Sequence, residues 1–354
     1  MRKHNFSAGP AILPQEVIQG AAKAVLELDN IGLSLIEISH RSNEFKAIME
    51  EACSLSLQLL GLEGKGYRAM FLQGGASLQF LMSAYNLLEK KAGYINSGTW
   101  STKAIKEAKL LGEVVEIASS KDGNFNHIPK GFKISNDLDY IHLTTNNTIF
   151  GTQYKSLPDT EVPLVADMSS DIFSRSFDYS KFDLFYAGAQ KNLGPSGVTL
   201  VVIKESSFNK VSRVIPSMLN YQVQSDAGSM FNTPPVFPVY TVLLNLRWIV
   251  KNGGLEGVGL ENEKKAALIY NEIDRNPLFE GFAHADDRSN MNATYNLKDN
   301  QHAVVFDTLW NEANISGLKG HRSVGGYRAS IYNAMPIESI QVLVDCMQEF
   351  ERKA

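Results

Sequence analysis

From Tyr67 onward the chain alternates short apolar runs with stretches in which apolar side chains recur every three or four positions. Short runs bounded by turn residues read as buried strands, and the longer period reads as helices that cover them. Strands are predicted at 68–72, 92–96, 114–117, 140–143, 163–166, 182–186 and 198–203, with helices at 77–88 and 101–111. Such alternation is the mark of an α/β fold, a mostly parallel sheet between layers of helices. Ahead of it, Pro10 and Pro14 make residues 1–15 an irregular arm, and helices are predicted at 14–28 and 48–60, the second stopped by Gly61. Beyond 203 the pattern changes. Three prolines in 232–238 predict a stiff extended segment, followed by helices at 239–250 and 260–275. Strands at 291–297 and 328–331 with helices at 304–314 and 336–351 are enough for a small α+β domain. The division is placed at Gly253-Gly254, giving a large domain over 16–254 and a small one over 255–354, with the arm packing on the latter. Gly254-Leu255-Glu256-Gly257-Val258-Gly259 is rich in glycine, but no strand precedes it and Glu256 would repel phosphate, so it reads as a helix–helix connection.

Composition narrows the function classes. At 354 residues, 44% hydrophobic and 20% charged, the chain is long enough for a large core and has the make-up of a soluble globular protein. A net charge of −4 without a dense Lys/Arg run leaves no footprint for nucleic acid or an anionic membrane. No apolar run approaches membrane-spanning length, and Met1-Arg2-Lys3-His4 leads into no signal-peptide pattern. With only Cys53 and Cys346, a reducing compartment, the cytoplasm, is expected. No metal site is expected either: His284-Ala285-Asp286-Asp287 has no ligand spacing and reads as an exposed loop.

Candidate chemistry centres on Lys191, which sits among glycines and a proline between the strands at 182–186 and 198–203. A desolvated lysine gives up its proton more readily and becomes a nucleophile for carbonyls, most familiarly that of pyridoxal phosphate. A lysine that bends out to solvent is an equal alternative on this stretch alone. Asp167, at the end of the strand 163–166, tips the balance, because such a cofactor needs an anion against its ring nitrogen. Ligands of α/β sheets collect at the carboxyl ends of strands, where both residues fall. Leu72-Gln73-Gly74-Gly75-Ala76-Ser77 joins a strand to a helix and is either an anion-binding turn or a plain glycine turn. Trp100 suits ring stacking or a core position, and Thr148 suits a phenolic oxygen or a polar turn.

Asn5-Phe6-Ser7-Ala8-Gly9-Pro10, Ser39-His40-Arg41, Ala187-Gly188-Ala189-Gln190-Lys191-Asn192, Gly228–Pro235 and Gly320–Ser330 together resemble the phosphoserine aminotransferases, from the first ten residues to the last helix. The resemblance implies the aspartate-aminotransferase-like fold, pyridoxal phosphate on Lys191, and amino transfer between L-glutamate and 3-phosphohydroxypyruvate. It implies that Ala76, Ser77 and Gln190 bind the cofactor phosphate, that Trp100 covers the ring, and that Thr148 meets the phenolic oxygen. It also implies a homodimer in which Asn232 and Thr233 reach the partner's cofactor phosphate. Arg328 is assigned the α-carboxylate, His40 and Arg41 the distal anionic group, and His321 and Arg322 that same group from the neighbouring subunit. Some relatives carry Arg where Ser77 stands, so a basic contact in this loop is missing here. A second substrate, the phosphorylated hydroxythreonine precursor of vitamin B6, fits the same cations. Rival readings are a relative acting on alanine, serine and glyoxylate, a cysteine desulfurase, and a non-catalytic binding protein.

Overall fold

The computed structural model describes residues 2–322 and 324–353, so Ser323 of the Gly320–Ser330 motif lies outside it. The arm carries a two-residue strand, β1 (His4–Asn5), and is followed by α1 (Gln15–Leu26) and α2 (Asn43–Leu59). The helix α2 starts ahead of residue 48 because Ser42 caps it, its Oγ accepting from the Phe45 N–H at 3.3 Å. Next come β2 (Tyr67–Leu72), α3 (Gly75–Leu87), β3 (Lys91–Asn96), α4 (Thr99–Ala108) and β4 (Glu113–Ser119). The strands β5 (Tyr140–Thr144), β6 (Asn146–Asn147), β7 (Thr152–Gln153), β8 (Leu164–Asp167), β9 (Leu184–Gly188) and β10 (Thr199–Lys204) complete this half.

Seven strands form one sheet in the order β2-β10-β9-β8-β5-β3-β4. β10 runs antiparallel to both its neighbours, and the other pairings are parallel. Neighbouring residues on a strand face opposite ways, so a sheet covered on both sides needs continuous apolar strands. Val165 and Leu184 pack towards α3 and α4, whereas Ala166 and Phe185 pack towards α2 and the later helix that holds Leu243 and Leu246. That double burial fixes the sheet. The carboxyl ends of β2, β3, β5, β8 and β9 therefore open on one edge of it, with Asp167 and the Lys191 loop side by side.

After β10 the chain forms α5 (Tyr221–Asp226), α6 (Val236–Lys251) and α7 (Gly254–Arg275). α6 begins inside the segment expected to be extended, with Pro238 in its first turn, where a missing N–H is harmless. The Gly254–Gly259 stretch is not a connection either: it forms the first turns of α7. Its glycines serve close approach, since a Cβ on Gly257 would lie 2.1 Å from the Asn252 carbonyl oxygen and one on Gly259 3.4 Å from the Arg175 Cα. The remainder is β11 (Phe279–Gly281), β12 (Asn292–Leu297), α8 (Ala303–Glu312), β13 (Ile315–Ser316), β14 (Tyr327–Ser330) and α9 (Ile337–Lys353). The strands β11, β12 and β14 make an antiparallel sheet, and β1 of the arm pairs with β13. Phe6 and Ile12 enter the apolar core of this second half. Along α7, Leu255 and Val258 join the first core and Ala266, Ile269 and Ile273 the second, so one helix spans both.

Gly257→Ala is expected to destabilise the protein by about 1–3 kcal/mol, because the new methyl meets backbone that cannot rotate away. Denaturant unfolding of the variant checks this, and unchanged stability would show that the start of α7 yields.

Candidate active site

β9 and β8 deliver the two central groups. The Lys191 loop leaves β9 at Gly188, folds back through Leu193 N–H to the Ala189 carbonyl, and is covered by the N-terminal arm. Ala11 N–H donates to the Gln190 carbonyl at 2.9 Å. Gly9, at φ +148°, lies so close that a Cβ there would be 3.2 Å from the Lys191 Cγ. Covered in this way, the lysine amine is pushed down to about 8, chiefly by burial, with the charge of Arg328 adding and those of Asp167 and Asp171 opposing. Its Nζ donates to the Thr148 hydroxyl at 2.7 Å and stands 5.3 Å from the Trp100 ring centre. Lys191 does not bend out to solvent.

Asp167 is buried at the end of β8, and one carboxylate oxygen accepts from the Ser169 N–H at 2.9 Å and its hydroxyl at 2.6 Å. Ser169 Oγ in turn accepts from the Gly188 N–H at 3.1 Å, tying the Asp167 strand to the lysine strand. The second carboxylate oxygen has no hydrogen-bond partner among the described residues. Arg328 on β14 donates to the main-chain carbonyl of Thr148 at 3.2 Å, while its Nε is buried and has no partner among the described residues. Burial lowers its pKa. Thr148 thus touches the amine through its side chain and the guanidinium through its backbone.

The turn between β2 and α3 has Gly74 and Gly75 at φ +94° and +67°, a path that L side chains rarely take. It leaves the first amides of α3, around Ala76 and Ser77, without partners in the helix. Gln190 is half-buried and folds over Gly188, where a Cβ would meet its Oε1 at 2.8 Å. Trp100 opens α4, its indole N–H buried and without a partner among the described residues, and Lys103 Nζ lies 4.7 Å from the ring centre. Asn232 and Thr233 are exposed and lie beside the α3 turn of their own chain, with Thr233 O accepting from Gln73 Nε2 at 2.7 Å. His321 feels burial first and then the charges of Arg328, Arg322 and Lys103, which together lower its pKa. Those charges belong to the same chain as His321. Arg322 and Arg41 are exposed and His40 is half-buried. No hydrogen bond, ion pair or ring contact joins His40 or Arg41 to Lys191, Arg328 or Trp100 among the described residues.

Ser169, Lys103 and Asn147 were not singled out by sequence reasoning. An Asp-x-Ser step after a strand was the available signal for Ser169; the other two depend on how α4 and the β5 exit lie in space. Asn147 Nδ2 donates to the Ser97 carbonyl, joining the β5 and β3 exits. His284, Ala285 and Asp286 are exposed, as expected of a loop, although His284 stacks on His127 at 5.4 Å and Asp287, the one buried residue of the four, pairs with Lys130 at 2.7 Å. A cavity of about 400 Å³ lies away from these residues, between 128–134, 154–159 and 286–287.

The sequence profile of the family described as aminotransferase class-V matches residues 3–343. The chain belongs to the class-V aminotransferases. A phosphoserine aminotransferase of Flavobacterium johnsoniae is 62% identical over the whole of both chains. The solved structure of phosphoserine aminotransferase from Bacillus circulans subsp. alkalophilus superposes with a TM-score of 0.96 at 46% identity, covering 99% of each chain. A pyridoxal-phosphate-bound phosphoserine aminotransferase from Trichomonas vaginalis superposes at 0.92 and 34% identity over 98% of this chain and all of that one. The fold is accordingly that of the pyridoxal-phosphate-dependent aminotransferases. A desulfurase needs a reactive thiolate, and burial pushes Cys53 up to about 12 and Cys346 up to about 11.

The amine's low pKa also affects stability. With nothing bound to Lys191, the folded state gives up its proton near pH 8 and the unfolded chain near the ordinary 10.5. Between those values the unfolded chain holds more protons, so stability climbs with pH across that window. Lys191→Met is therefore expected to stabilise the free protein at pH 7 by about 1–3 kcal/mol, the gain fading above the upper value. Denaturant titrations at the two ends of the window check it; a variant no more stable at pH 7 would mean that the amine is well solvated.

Proposed function

We propose that the chain transfers the amino group of L-glutamate to 3-phosphohydroxypyruvate, giving 2-oxoglutarate and O-phospho-L-serine, with pyridoxal phosphate on Lys191. The observation that carries this reading is the double use of Thr148, which holds a desolvated amine by its hydroxyl and a buried guanidinium by its carbonyl. An amine and a carboxylate-binding fork fixed through one residue are what an α-amino acid requires.

The donor set fits the cofactor. The unpaired oxygen of Asp167 suits a protonated ring nitrogen, the Trp100 indole offers a flat face, and Thr148 offers a hydroxyl. The glycine turn before α3 offers amides to a phosphate, with Ser77 and Gln190 beside it. When bound, the cofactor withdraws electrons from the substrate's α-carbon bond. The protein does the rest. Arg328 fixes the α-carboxylate, which orients the α-hydrogen. Lys191, with its pKa near working pH, takes the α-proton as a general base and delivers it again on the other side of the exchange. Asp167, held by Ser169, offers its other oxygen to the ring nitrogen.

The distal phosphate is read by cations: the charges of Arg322 and Lys103 are felt at His321, and Lys103 Nζ lies 4.7 Å from the Trp100 ring centre. His40 and Arg41 complete the set if a second chain supplies them, as would Asn232 and Thr233 of the partner subunit for the cofactor phosphate; we therefore read the active form as a homodimer. The same cations accept a phosphorylated hydroxythreonine. Two free cysteines, Cys53 half-buried and Cys346 buried, support a cytoplasmic enzyme.

Lys191→Ala is expected to abolish turnover, and near wild-type transamination would remove the assignment. Among acceptors, Arg322→Ala and Arg41→Ala should each cost about 2–5 kcal/mol with phosphohydroxypyruvate and far less with pyruvate, which has no phosphate to leave those forks unpaired. Arg328→Ala should damage both acceptors alike. kcat/KM for the two acceptors in the three variants decides, and a uniform loss in the first two shows that they do not read the phosphate.

A further inference from the structure

One buried lysine is used by none of this. Lys265, on α7, is 2% exposed, and its Nζ donates to the carbonyls of Tyr332 at 2.6 Å and Asn333 at 3.4 Å. Burial pushes its amine down to about 7, with the charge of Glu261 opposing, which measures how unfavourable the position is for a charge. An apolar side chain would fill that place at less cost, so the donors themselves matter.

The turn that Lys265 holds is the middle of a clamp. Three successive carbonyls, those of Ile172, Phe173 and Ser174, each accept a side-chain amide, from Asn192 at 2.6 Å, Asn333 at 2.8 Å and Asn262 at 2.8 Å. Phe173 sits among them at φ +56°, a left-handed conformation that a buried aromatic residue keeps only when its surroundings enforce it. The amides also join one another: Asn333 N–H donates to Asn192 Oδ1 at 2.9 Å, and Asn262 Nδ2 donates to Asn333 Oδ1 at 2.8 Å. Asn192 is the neighbour of Lys191, the carbonyls follow the Asp167 strand, and Asn333 follows the strand of Arg328. Asn262 and Lys265 lie one turn apart on the same face of α7. Lys191, Asp167 and Arg328 come from three separate parts of the chain, and this junction touches all three.

We propose that Lys265 is a positioning residue for the reaction: through the Tyr332–Asn333 turn it fixes the register between the Lys191 loop and the strand that carries Arg328. It touches neither substrate nor cofactor. The inference rests on Lys191 being the reacting amine. Lys265→Met keeps the stem and removes the donors; Lys265→Arg keeps donors for the carbonyls. In the cofactor-loaded enzyme, the Met variant is expected to lose about ten- to a hundredfold in kcat, as a small misplacement of reacting groups does, and the Arg variant to recover most of it. In the cofactor-free protein, methylation of Lys191 by formaldehyde and cyanoborohydride, followed by mass spectrometry against pH, reports the amine directly. Its midpoint should move from about 8 towards the ordinary lysine value of 10.5 in the Met variant and stay in place in the Arg variant. A merely structural lysine would lower the melting temperature and leave that midpoint alone. A folded Met variant with the wild-type midpoint and kcat within about twofold of wild type overturns the proposal. If the Met variant is not recovered folded, Asn192→Leu breaks the same junction, and a wild-type midpoint there overturns it equally. Should Lys191→Ala still transaminate, it is the amine assignment that fails, and the midpoint still reports on the clamp.

Discussion

Keeping one amine out of water is the constraint on which the site depends. An ammonium in an apolar frame is expensive, and the cost is moderated by the charge of Asp167 and the single hydroxyl of Thr148. Every neighbouring feature maintains that balance. The arm closes over Gly9 and Ala11, Ser169 locks the carboxylate, and Arg328 adds a like charge that favours the neutral amine. Removing water is thus what makes the lysine a base, and the two cores exist partly to remove it.

The sheet was legible because its strands are buried on both faces. A run such as Leu184-Phe185-Tyr186-Ala187 admits no other reading between turn residues, and its length rules out a helix. The elements misread were those whose ends depend on caps or on partners far away in sequence. Ser42 begins α2 through a hydroxyl that periodicity does not register. Gly257 and Gly259 look like loop residues because glycine weakens helices, yet here the missing side chains let α7 approach Asn252 and Arg175. Propensity lost to packing at both glycines.

For the site, residue type carried much and position carried less. Lys191 and Asp167 stand at adjacent strand ends, as an α/β sheet with ligands at its carboxyl edge requires. Trp100 and Thr148 could each be read two ways from the sequence, and only the fold brings the ring to 5.3 Å and the hydroxyl to 2.7 Å of the same amine. Lys103 could not be found from sequence, because its relevance depends on where α4 points relative to His321. The assignment of His321 to the neighbouring subunit came from the resemblance; within one chain its pKa is lowered by burial and by the charges of Arg328, Arg322 and Lys103.

The amides around Phe173 show why the second half of the chain is attached as it is. Apolar packing alone would let the two cores slide, since hydrophobic contact has no direction. Hydrogen bonds to carbonyls do have direction, and buried ones are costly to break because nothing replaces the lost partner. Asn192, Asn262 and Asn333 each use a side-chain amide on a carbonyl that a sheet or helix would otherwise have satisfied. The Arg328 strand is therefore held in a specific register with the Lys191 loop, not merely against it. An enzyme whose substrate must present its α-carbon to one side chain while its carboxylate is held by another needs that kind of attachment, because the distance between those two side chains is the geometry of the reaction.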